Sequence, residues 1–230
     1  MTLAPGKAFQ RLQDGNERFI AGLRSVHSFA TEELRMKLAE KGQKPFAMIL
    51  SCSDARVPAE LVFDCGLGDL FVVRVAGNVI APSLIGSLEF AAEKFETPLC
   101  LVLGHTDCGA IRATFEQVTQ SKHPNSEHVR VITESIIPAV KEVCSSEEAM
   151  TQDDLLHRIT VQNIRQSVEK IIEQSSIIRH RIAEQKIAVV GAVYSLHDGR
   201  VTFLETDGYK EEVRTILKQS AVQPKDVRLQ

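Results

Sequence analysis

Two short apolar runs in this sequence each lead directly into residue types that bind metal ions. The run at 46–50 continues into SCSDAR, and the run at 99–103 continues into GHTDCG. Apolar runs of this length, separated by helix-like stretches, are typical of buried parallel strands, whose carboxyl ends share one edge of the sheet. We therefore expect Cys52, His105 and Cys108 to meet at that edge. Two thiolates and one imidazole form a zinc site with three protein ligands, which is the pattern of catalytic rather than structural zinc.

Zinc, at one ion per chain, suits this donor set better than other metals. Calcium and magnesium prefer oxygen ligands, and iron–sulfur clusters usually need four cysteines. Two metal-free interpretations stay open. One is a Cys/His nucleophile pair, which has no use for a second cysteine beside the histidine, and the other is thiol redox chemistry. We interpret the other cysteines as small buried hydrophobic residues. They are Cys65, Cys100 and Cys144.

An acidic and a basic residue lie two positions apart beside the first cysteine. On an extended or turning segment, Asp54 and Arg56 share one side, close to a metal held by Cys52. A planar guanidinium binds a carboxylate through two hydrogen bonds and so sets its orientation. We interpret Asp54 as the acceptor that orients a zinc-bound water and Arg56 as the group that aims it, with a structural ion pair as the alternative. A helix that begins near Cys108 adds N–H groups that favour thiolates and bound anions.

The composition argues against several classes of protein. The chain has 230 residues with 27 basic and 30 acidic side chains and a net charge of -3, which predicts no binding to nucleic acid or to anionic membranes. No run approaches the roughly 18 consecutive apolar residues of a membrane span. The first residues lack the apolar core of a signal peptide. We therefore predict a cytoplasmic protein whose five cysteines are thiols.

The order of elements predicts an α/β fold with a mainly parallel central sheet, one antiparallel edge strand, flanking helices and an amino-terminal helical arm. Strand, motif and helix repeat along the chain, which implies right-handed crossovers, and the Asp-Gly at 198–199 predicts a closing hairpin. The arm at 7–40 belongs to no strand–helix–strand unit, so we expect it to pack elsewhere, such as on a partner subunit. We divide the chain into this arm, 1–44, and a single α/β zinc-binding domain, 45–230. The predicted strands are 46–50, 70–75, 98–103, 186–196 and 200–204, and the predicted helices of the domain are 58–64, 82–95, 108–120, 129–144 and 152–184.

Three motifs carry a resemblance to a known family. They are SCSDARVPAE at 51–60, GDLFVVRVAGN at 68–78 and GHTDCGA at 104–110. With them the chain resembles the β-class carbonic anhydrases of the bacterial type, from the arm at 16–19 to the closing strands at 187–205. The resemblance implies a Rossmann-like sheet and an obligate homodimer whose amino-terminal helices embrace the partner. It also implies that two dimers can pair into a homotetramer.

The resemblance implies a reaction and a site as well. One Zn²⁺ is held by Cys52, His105 and Cys108. In the implied reaction, a hydroxide on the zinc would attack carbon dioxide, giving bicarbonate and a proton reversibly. Asp54 and Arg56 form a catalytic dyad, and in a closed state Asp54 becomes a possible fourth ligand of the metal.

The sequence also offers candidate residues for the substrate pocket and alternatives for the substrate. Val57, Gly109 and Ala110 are the candidate lining residues, together with apolar side chains of the partner subunit. Relatives on the same scaffold hydrolyse carbonyl sulfide or carbon disulfide, and this chemistry is an alternative. A zinc-binding or bicarbonate-binding module without turnover is a further alternative, although the intact Asp54 and Arg56 argue against it.

The sequence departs from the family pattern at two places. Gly66 stands where plant-type members carry a glutamine that reaches the substrate. Members with a non-catalytic bicarbonate site use a tryptophan, an arginine and a tyrosine. Here Arg74 and Tyr194 fall near the last two positions, but Ile49 occupies the first. We therefore expect no inhibition by bicarbonate at a site of that form.

Overall fold

The central sheet is built from strands that are almost entirely apolar. The computed structural model describes residues 3–23, 31–145 and 150–204. The strands in these ranges are β1 (Ala47–Ser51), β2 (Leu70–Arg74), β3 (Leu99–His105), β4 (Ala188–Tyr194) and β5 (Val201–Phe203). They form one sheet in the order β2-β1-β3-β4-β5, in which the first four are parallel and β5 runs antiparallel to β4. The predicted α/β fold with one antiparallel edge strand is confirmed.

Eight α-helices accompany this sheet in the described ranges. They are α1 (Pro5–Ile20), α2 (Glu32–Lys41), α3 (Ala59–Val62), α4 (Pro82–Lys94), α5 (Gly109–Gln120), α6 (Glu127–Cys144), α7 (Gln152–Gln174) and α8 (Ser176–Ala183). Every residue of β1, β3 and β4 is buried, as expected for parallel strands that are covered on both faces. Within the described ranges, no helix is long and apolar enough to cross a membrane.

The topology places two distant segments of the chain side by side. Strands β1 and β3 are neighbours, and the last residue of β1, Ser51, is paired with Leu103. Because the strands run parallel, Cys52 emerges from β1 at the same edge at which β3 ends in His105. The sheet therefore places the two sequence motifs side by side, as predicted.

Most element boundaries differ from the prediction by one or two residues, and three differences stand out. Strand β3 continues to His105 instead of ending at 103, and α6 begins at Glu127 because the Ser126 side chain caps its first turn. The predicted helix at 152–184 is two helices, α7 and α8, which are separated at Ser175. The Ser175 hydroxyl accepts a hydrogen bond from Ile178 N at 3.1 Å, and serine at such a position favours a new helix start over continuation.

The first helix of the arm packs on its own chain. Ala8 and Leu12 are fully buried in the main core, and the buried Asn16 ties α1 to two other segments. Its amide nitrogen donates to the carbonyls of Val62 at 3.1 Å and Gly199 at 2.9 Å, while its amide oxygen accepts from Val201 N at 2.8 Å. The expectation that the whole arm packs elsewhere is therefore wrong for α1.

The second helix of the arm behaves differently. Thr31 caps α2 by accepting a hydrogen bond from Leu34 N at 3.2 Å, yet none of the α2 residues is buried in the part of the chain that the structure describes. Met36, on this helix, is 55% exposed. An apolar side chain exposed on a helix that buries none of its residues fits the expectation of a partner contact for α2 alone. The division at 44/45 stays a prediction.

Candidate metal centre

The three predicted metal ligands lie together. The side-chain donor atoms of Cys52, His105 and Cys108 are all within 4.8 Å of one another, and all three residues are buried. The two sulfur atoms are 4.0 Å apart. Among the described residues, this is the one group of three or more Cys, His, Asp or Glu side chains with such spacing. Soft thiolates with a neutral imidazole suit a tetrahedral zinc ion with one position left for another ligand.

The histidine is already oriented for metal binding. His105 is fully buried, and its Nδ1 lies 2.8 Å from the backbone oxygen of Thr106. Nδ1–H donates to that carbonyl, so the neutral ring carries its free lone pair on Nε2. Nε2 is buried and finds no hydrogen-bond partner among the described residues. A buried acceptor without a partner is costly, and a metal ion at the cluster satisfies it. The donor set therefore fits zinc.

The two ligand cysteines influence each other's ionisation. The pKa of Cys52 is lowered to about 4, chiefly because the Cys108 thiol stabilises the Cys52 thiolate through a hydrogen bond. The same interaction, together with burial, raises the pKa of Cys108 above its usual range. The pair thus loses one proton readily and the second reluctantly. A divalent cation offsets the repulsion between two thiolates, which is how such a pair becomes fully ionised.

The remaining cysteines have a different character. Burial raises the pKa of Cys100 to about 12 and, with the nearby Asp69 charge, that of Cys65 to about 12 as well. Burial also raises the pKa of Cys144. These thiols stay protonated at neutral pH. Cys65 and Cys100 are buried, as predicted, but Cys144 is exposed at the end of α6, so its interpretation as a buried hydrophobic residue is wrong.

Glycine is needed beside the first ligand. Gly77 has a φ of +67°, and its N–H donates to the Cys52 sulfur at 3.3 Å. A Cβ at this position would lie 2.8 Å from the Ile136 side chain, so both conformation and space favour glycine. The Asn163 amide holds this turn by donating to the Gly77 carbonyl at 2.9 Å. The sequence offered no signal for Asn163, since it lies in the middle of α7.

The predicted carboxylate–guanidinium pair is formed next to the cluster. Arg56 Nε lies 2.9 Å from Asp54 Oδ1, and Nη2 lies 2.7 Å from Oδ2, so the contact is bidentate. The hydrogen bonds from Arg56 hold the pKa of Asp54 well below its usual range. Asp54 Oδ2 is 3.9 Å from His105 Nε2. The carboxylate therefore stays ionised beside the open side of the ligand cluster while Arg56 holds it.

A second arginine supports this loop, and sequence reasoning did not assign it that role. Arg74 Nε donates to the Cys52 carbonyl at 3.1 Å, and its Nη2 donates to the Asp54 carbonyl at 2.6 Å. Both bonds are to backbone atoms, which no spacing rule reveals.

The other two positions of the family's non-catalytic bicarbonate site, Ile49 and Tyr194, are buried in the core. Gly66 lies in a turn whose N–H donates to Asp69 at 2.9 Å.

The three predicted pocket residues lie in different environments. Val57 is fully buried in the main core, Gly109 is exposed, and Ala110 is half-buried with its Cβ close to Gly77. A cavity of about 330 Å³ adjoins the site at Cys108. It is lined by other residues, among them Thr106, Asp107, Ile111, His157 and His197. The assignment of Val57, Gly109 and Ala110 to a substrate pocket stays a prediction.

Comparison with known proteins gives a consistent result. A family model described as "Carbonic anhydrase" matches residues 47–201. The chain is 38% identical over 204 residues to "Carbonic anhydrase 2" of Mycobacterium tuberculosis, covering 89% of this chain and 95% of that protein. It is 38% identical over 197 residues to the "Carbonic anhydrase" of Mycolicibacterium smegmatis, covering 86% of this chain and 92% of that protein.

Solved structures share the fold. The β-carbonic anhydrase CcaA is similar with a TM-score of 0.67 at 24% identity, covering 86% of this chain and 95% of that one. A structure from a study of two tetrameric β-carbonic anhydrases of Sordaria macrospora is similar with a TM-score of 0.65 at 21% identity, covering 86% and 97%. At these sequence identities, the structural similarity supports the fold only.

Proposed function

Since this chain belongs to the β-class carbonic anhydrases, a family of lyases, we propose that it catalyses the reversible hydration of carbon dioxide to bicarbonate and a proton. The observation that carries the proposal is the buried cluster of Cys52, His105 and Cys108 with the Asp54–Arg56 pair beside it. These are the residues that a hydration site needs: three donors for a metal and one fixed acceptor for a water.

Zinc is the metal that these donors fit, and we propose one ion per chain held by Cys52, His105 and Cys108. The free Nε2 lone pair of His105, the readily ionised Cys52 and the buried setting support this assignment. When bound, zinc supplies a Lewis acid that makes a hydroxide nucleophile available near neutral pH.

The chain's own residues supply orientation. Asp54 remains a carboxylate because the Arg56 hydrogen bonds lower its pKa, so it accepts a hydrogen bond from the reacting water and directs the remaining lone pair toward the substrate. Arg56 prevents the carboxylate from rotating onto the ligand cluster, which lies 3.9 Å away at His105 Nε2. If that hold is lost, Asp54 is positioned to become a fourth metal ligand in a closed state.

The loop that carries the dyad is held as a unit. Arg74 donates hydrogen bonds to the carbonyls of both Cys52 and Asp54, so it fixes the position of the metal ligand relative to the carboxylate. Fixed placement of an acceptor relative to the reacting oxygen is the main contribution that a protein can make to a reaction with so small a substrate.

We also propose that the active form is a homodimer or a pair of dimers. Helix α2, whose Met36 is 55% exposed, supports this assembly, as do Leu61 and Leu67, which are 49% and 43% exposed. Strand β2 is an edge strand of the sheet within the described ranges, so it adds unpaired backbone groups to the same part of the molecule.

Metal analysis and a hydration assay on one purified sample test the proposal. We expect one zinc per chain, together with carbon dioxide hydration in stopped flow that disappears after chelation and returns with added zinc. Carbonyl sulfide and carbon disulfide should be assayed on the same sample. A zinc-loaded protein that hydrolyses either of them but leaves carbon dioxide untouched would contradict the proposed substrate, and one that acts on none of the three would contradict catalysis.

A further inference from the structure

The turn after β4 is bonded to the loop that carries two metal ligands. Thr106, between His105 and Cys108, donates from its backbone N–H to the Tyr194 carbonyl at 3.0 Å. Its hydroxyl oxygen accepts from the backbone N–H of Leu196, also at 3.0 Å. The second bond is made by a side chain, so it depends on the residue type at position 106. Thr106 therefore joins the two segments at two points.

The same peptide units present two consecutive carbonyls to the site. The Thr106 carbonyl accepts from His105 Nδ1 at 2.8 Å, and the Asp107 carbonyl accepts from Arg56 Nη2 at 3.2 Å. One carbonyl thus sets the tautomer and ring orientation of a ligand. The other sets the position of the guanidinium that holds Asp54. Both depend on how the 106–107 segment is oriented.

The 106–107 segment is expected to change its orientation if the Thr106 side-chain hydrogen bond is lost. Asp107 has a φ of +56°, in the left-handed region that aspartate visits more often than most residues but that is still uncommon for a residue with a side chain, so contacts with neighbours help to keep it there. Its carboxylate lies 3.2 Å from His197 Nε2, in the same turn that Thr106 binds. The cavity of about 330 Å³ beside Thr106, Asp107 and Cys108 leaves space into which a released loop can relax.

We propose that Thr106 is a positioning residue: its hydroxyl, bonded to Leu196 N, holds the two carbonyls that orient His105 and Arg56. The β4–β5 turn thereby sets both the metal-binding lone pair of His105 and the hold of Arg56 on Asp54. Only the expected effect of Thr106 on turnover rests on the proposed function. The positions of the His105 ring and the Arg56 guanidinium can be measured whether or not a metal is bound.

The substitution Thr106→Val removes the hydroxyl and keeps the shape of the side chain, and Thr106→Ser keeps the hydroxyl. Because partners of this kind behind a metal ligand typically contribute 10- to 100-fold to affinity or activity, Thr106→Val should weaken zinc binding and lower kcat/KM by about tenfold each. Thr106→Ser should stay within about twofold of the unaltered protein, since the acceptor is retained. Thr106→Ala repeats the loss of the hydroxyl if the valine variant does not fold.

A matched control is Thr119→Val. Thr119 lies at the far end of α5 and bonds its hydroxyl to the Phe115 carbonyl at 2.8 Å within the same helix. Thr119→Val also loses a hydroxyl hydrogen bond to the backbone, here a donated one, without touching the ligand loop, so zinc affinity and kcat/KM should not change.

Two readouts report on positioning itself, on zinc-free protein. Nitrogen-15 shifts of the His105 ring should show the Nδ1–H tautomer in the unaltered protein and a mixture of tautomers in Thr106→Val. Hydrogen exchange at Arg56 Nε–H should be about tenfold faster in Thr106→Val, because a loosened guanidinium opens more often. Thr106→Ser and Thr119→Val should match the unaltered protein in both.

The outcomes separate the two proposals. If the ring tautomer and the Arg56 exchange rate are the same in Thr106→Val as in the unaltered protein, Thr106 has no positioning role. A serine variant that behaves like the valine variant also overturns the inference, because the hydroxyl is then irrelevant. If both spectroscopic changes occur but the unaltered protein hydrates no carbon dioxide, the positioning role stands and the proposed function fails.

Discussion

Arg56 and Asp54 meet through two parallel hydrogen bonds, Nε to Oδ1 at 2.9 Å and Nη2 to Oδ2 at 2.7 Å. A third bond, from Arg56 N to Oδ1 at 2.9 Å, closes a short turn. Arg56 is itself tied to the opposite loop by its bond to the Asp107 carbonyl. The guanidinium is thus a bridge between the segments that carry the first ligand and the other two.

Replacing Arg56 should therefore change what binds the metal as well as the rate. In Arg56→Ala we expect full zinc content, a carboxylate oxygen in the zinc X-ray absorption spectrum, and a loss of about a hundredfold or more in kcat, because an orienting acceptor contributes on that scale. Arg56→Lys should recover little of the lost kcat, since an ammonium group cannot form the bidentate contact with Asp54. An Arg56→Ala protein with near-normal turnover would contradict the assigned role of the dyad.

The companion substitution, Asp54→Ala, should lose activity for a different reason. It removes the acceptor and leaves no carboxylate to approach the ligand cluster, so the absorption spectrum should show no added carboxylate ligand. Arg130→Ala, which removes an exposed arginine on α6, serves as the control and should leave both measurements unchanged. Equal spectra for the Asp54 and Arg56 variants would rule out the closed state.

The three ligand substitutions should act through metal loss. Cys52→Ser, His105→Ala and Cys108→Ser each remove one of three donors, and a three-ligand site cannot spare one. We expect zinc well below one per chain after dialysis and activity that falls with it. Cys144→Ser, at an exposed cysteine outside the cluster, should keep one zinc per chain. Full zinc and turnover in the Cys108 variant would show that the ligand assignment is wrong.

The sequence predicted the parts of the site that follow from strand ends and short spacings. The proximity of Cys52 and His105 could be predicted because parallel strands end at a common edge of the sheet. The contact between Asp54 and Arg56 could be predicted because residues two positions apart on a turn face the same side. The parallel direction of most strands and the antiparallel edge strand followed from the repeated strand–helix pattern and one hairpin signal, whereas the order β2-β1-β3-β4-β5 was not predicted.

The missed features depend on backbone atoms and on tertiary packing. Arg74 and Thr106 act on carbonyl and N–H groups of other segments, and a backbone partner leaves no mark in the sequence. The break at Ser175 was missed because the apolar pattern continues across it. Packing of α1 on its own chain was missed because the apolar side of a helix does not say which surface will cover it.

Association should depend on helix α2. Met36→Glu places a charge on a helix that buries none of its residues in the described chain, so the folded subunit should tolerate it while a dimer interface should not. We expect sedimentation equilibrium to show at least dimers for the unaltered protein and a weaker dimer for Met36→Glu. Val131→Glu, at a 61% exposed position of α6, is the matched control. A stable, active monomer of the unaltered protein would refute the proposed assembly.

The close contact of α1 with the α3 region gives a last prediction. A Cβ at Gly15 would lie 2.0 Å from the Phe63 carbonyl oxygen and 2.8 Å from its carbon, so it would meet backbone that cannot turn away as a side chain can. Gly15→Ala must push α1 off the core and strain the three hydrogen bonds of Asn16, one residue further along. We expect the free energy of unfolding to fall by about 3 kcal/mol, as for overpacking that displaces an element.

Gly86 provides the opposite case on α4. It too is a helical glycine, but beyond its chain neighbours and its own helix backbone a Cβ there meets no atom of the described residues within 4 Å. Gly86→Ala should therefore raise the free energy of unfolding by about 0.5–1 kcal/mol, because alanine loses less backbone entropy on folding. Urea unfolding of both variants at one protein concentration makes the comparison, since the stability of an associating protein depends on concentration. If Gly15→Ala unfolds at the same urea concentration as the unaltered protein, α1 does not pack against Phe63 in solution, and the arm is free to cover a partner as a whole.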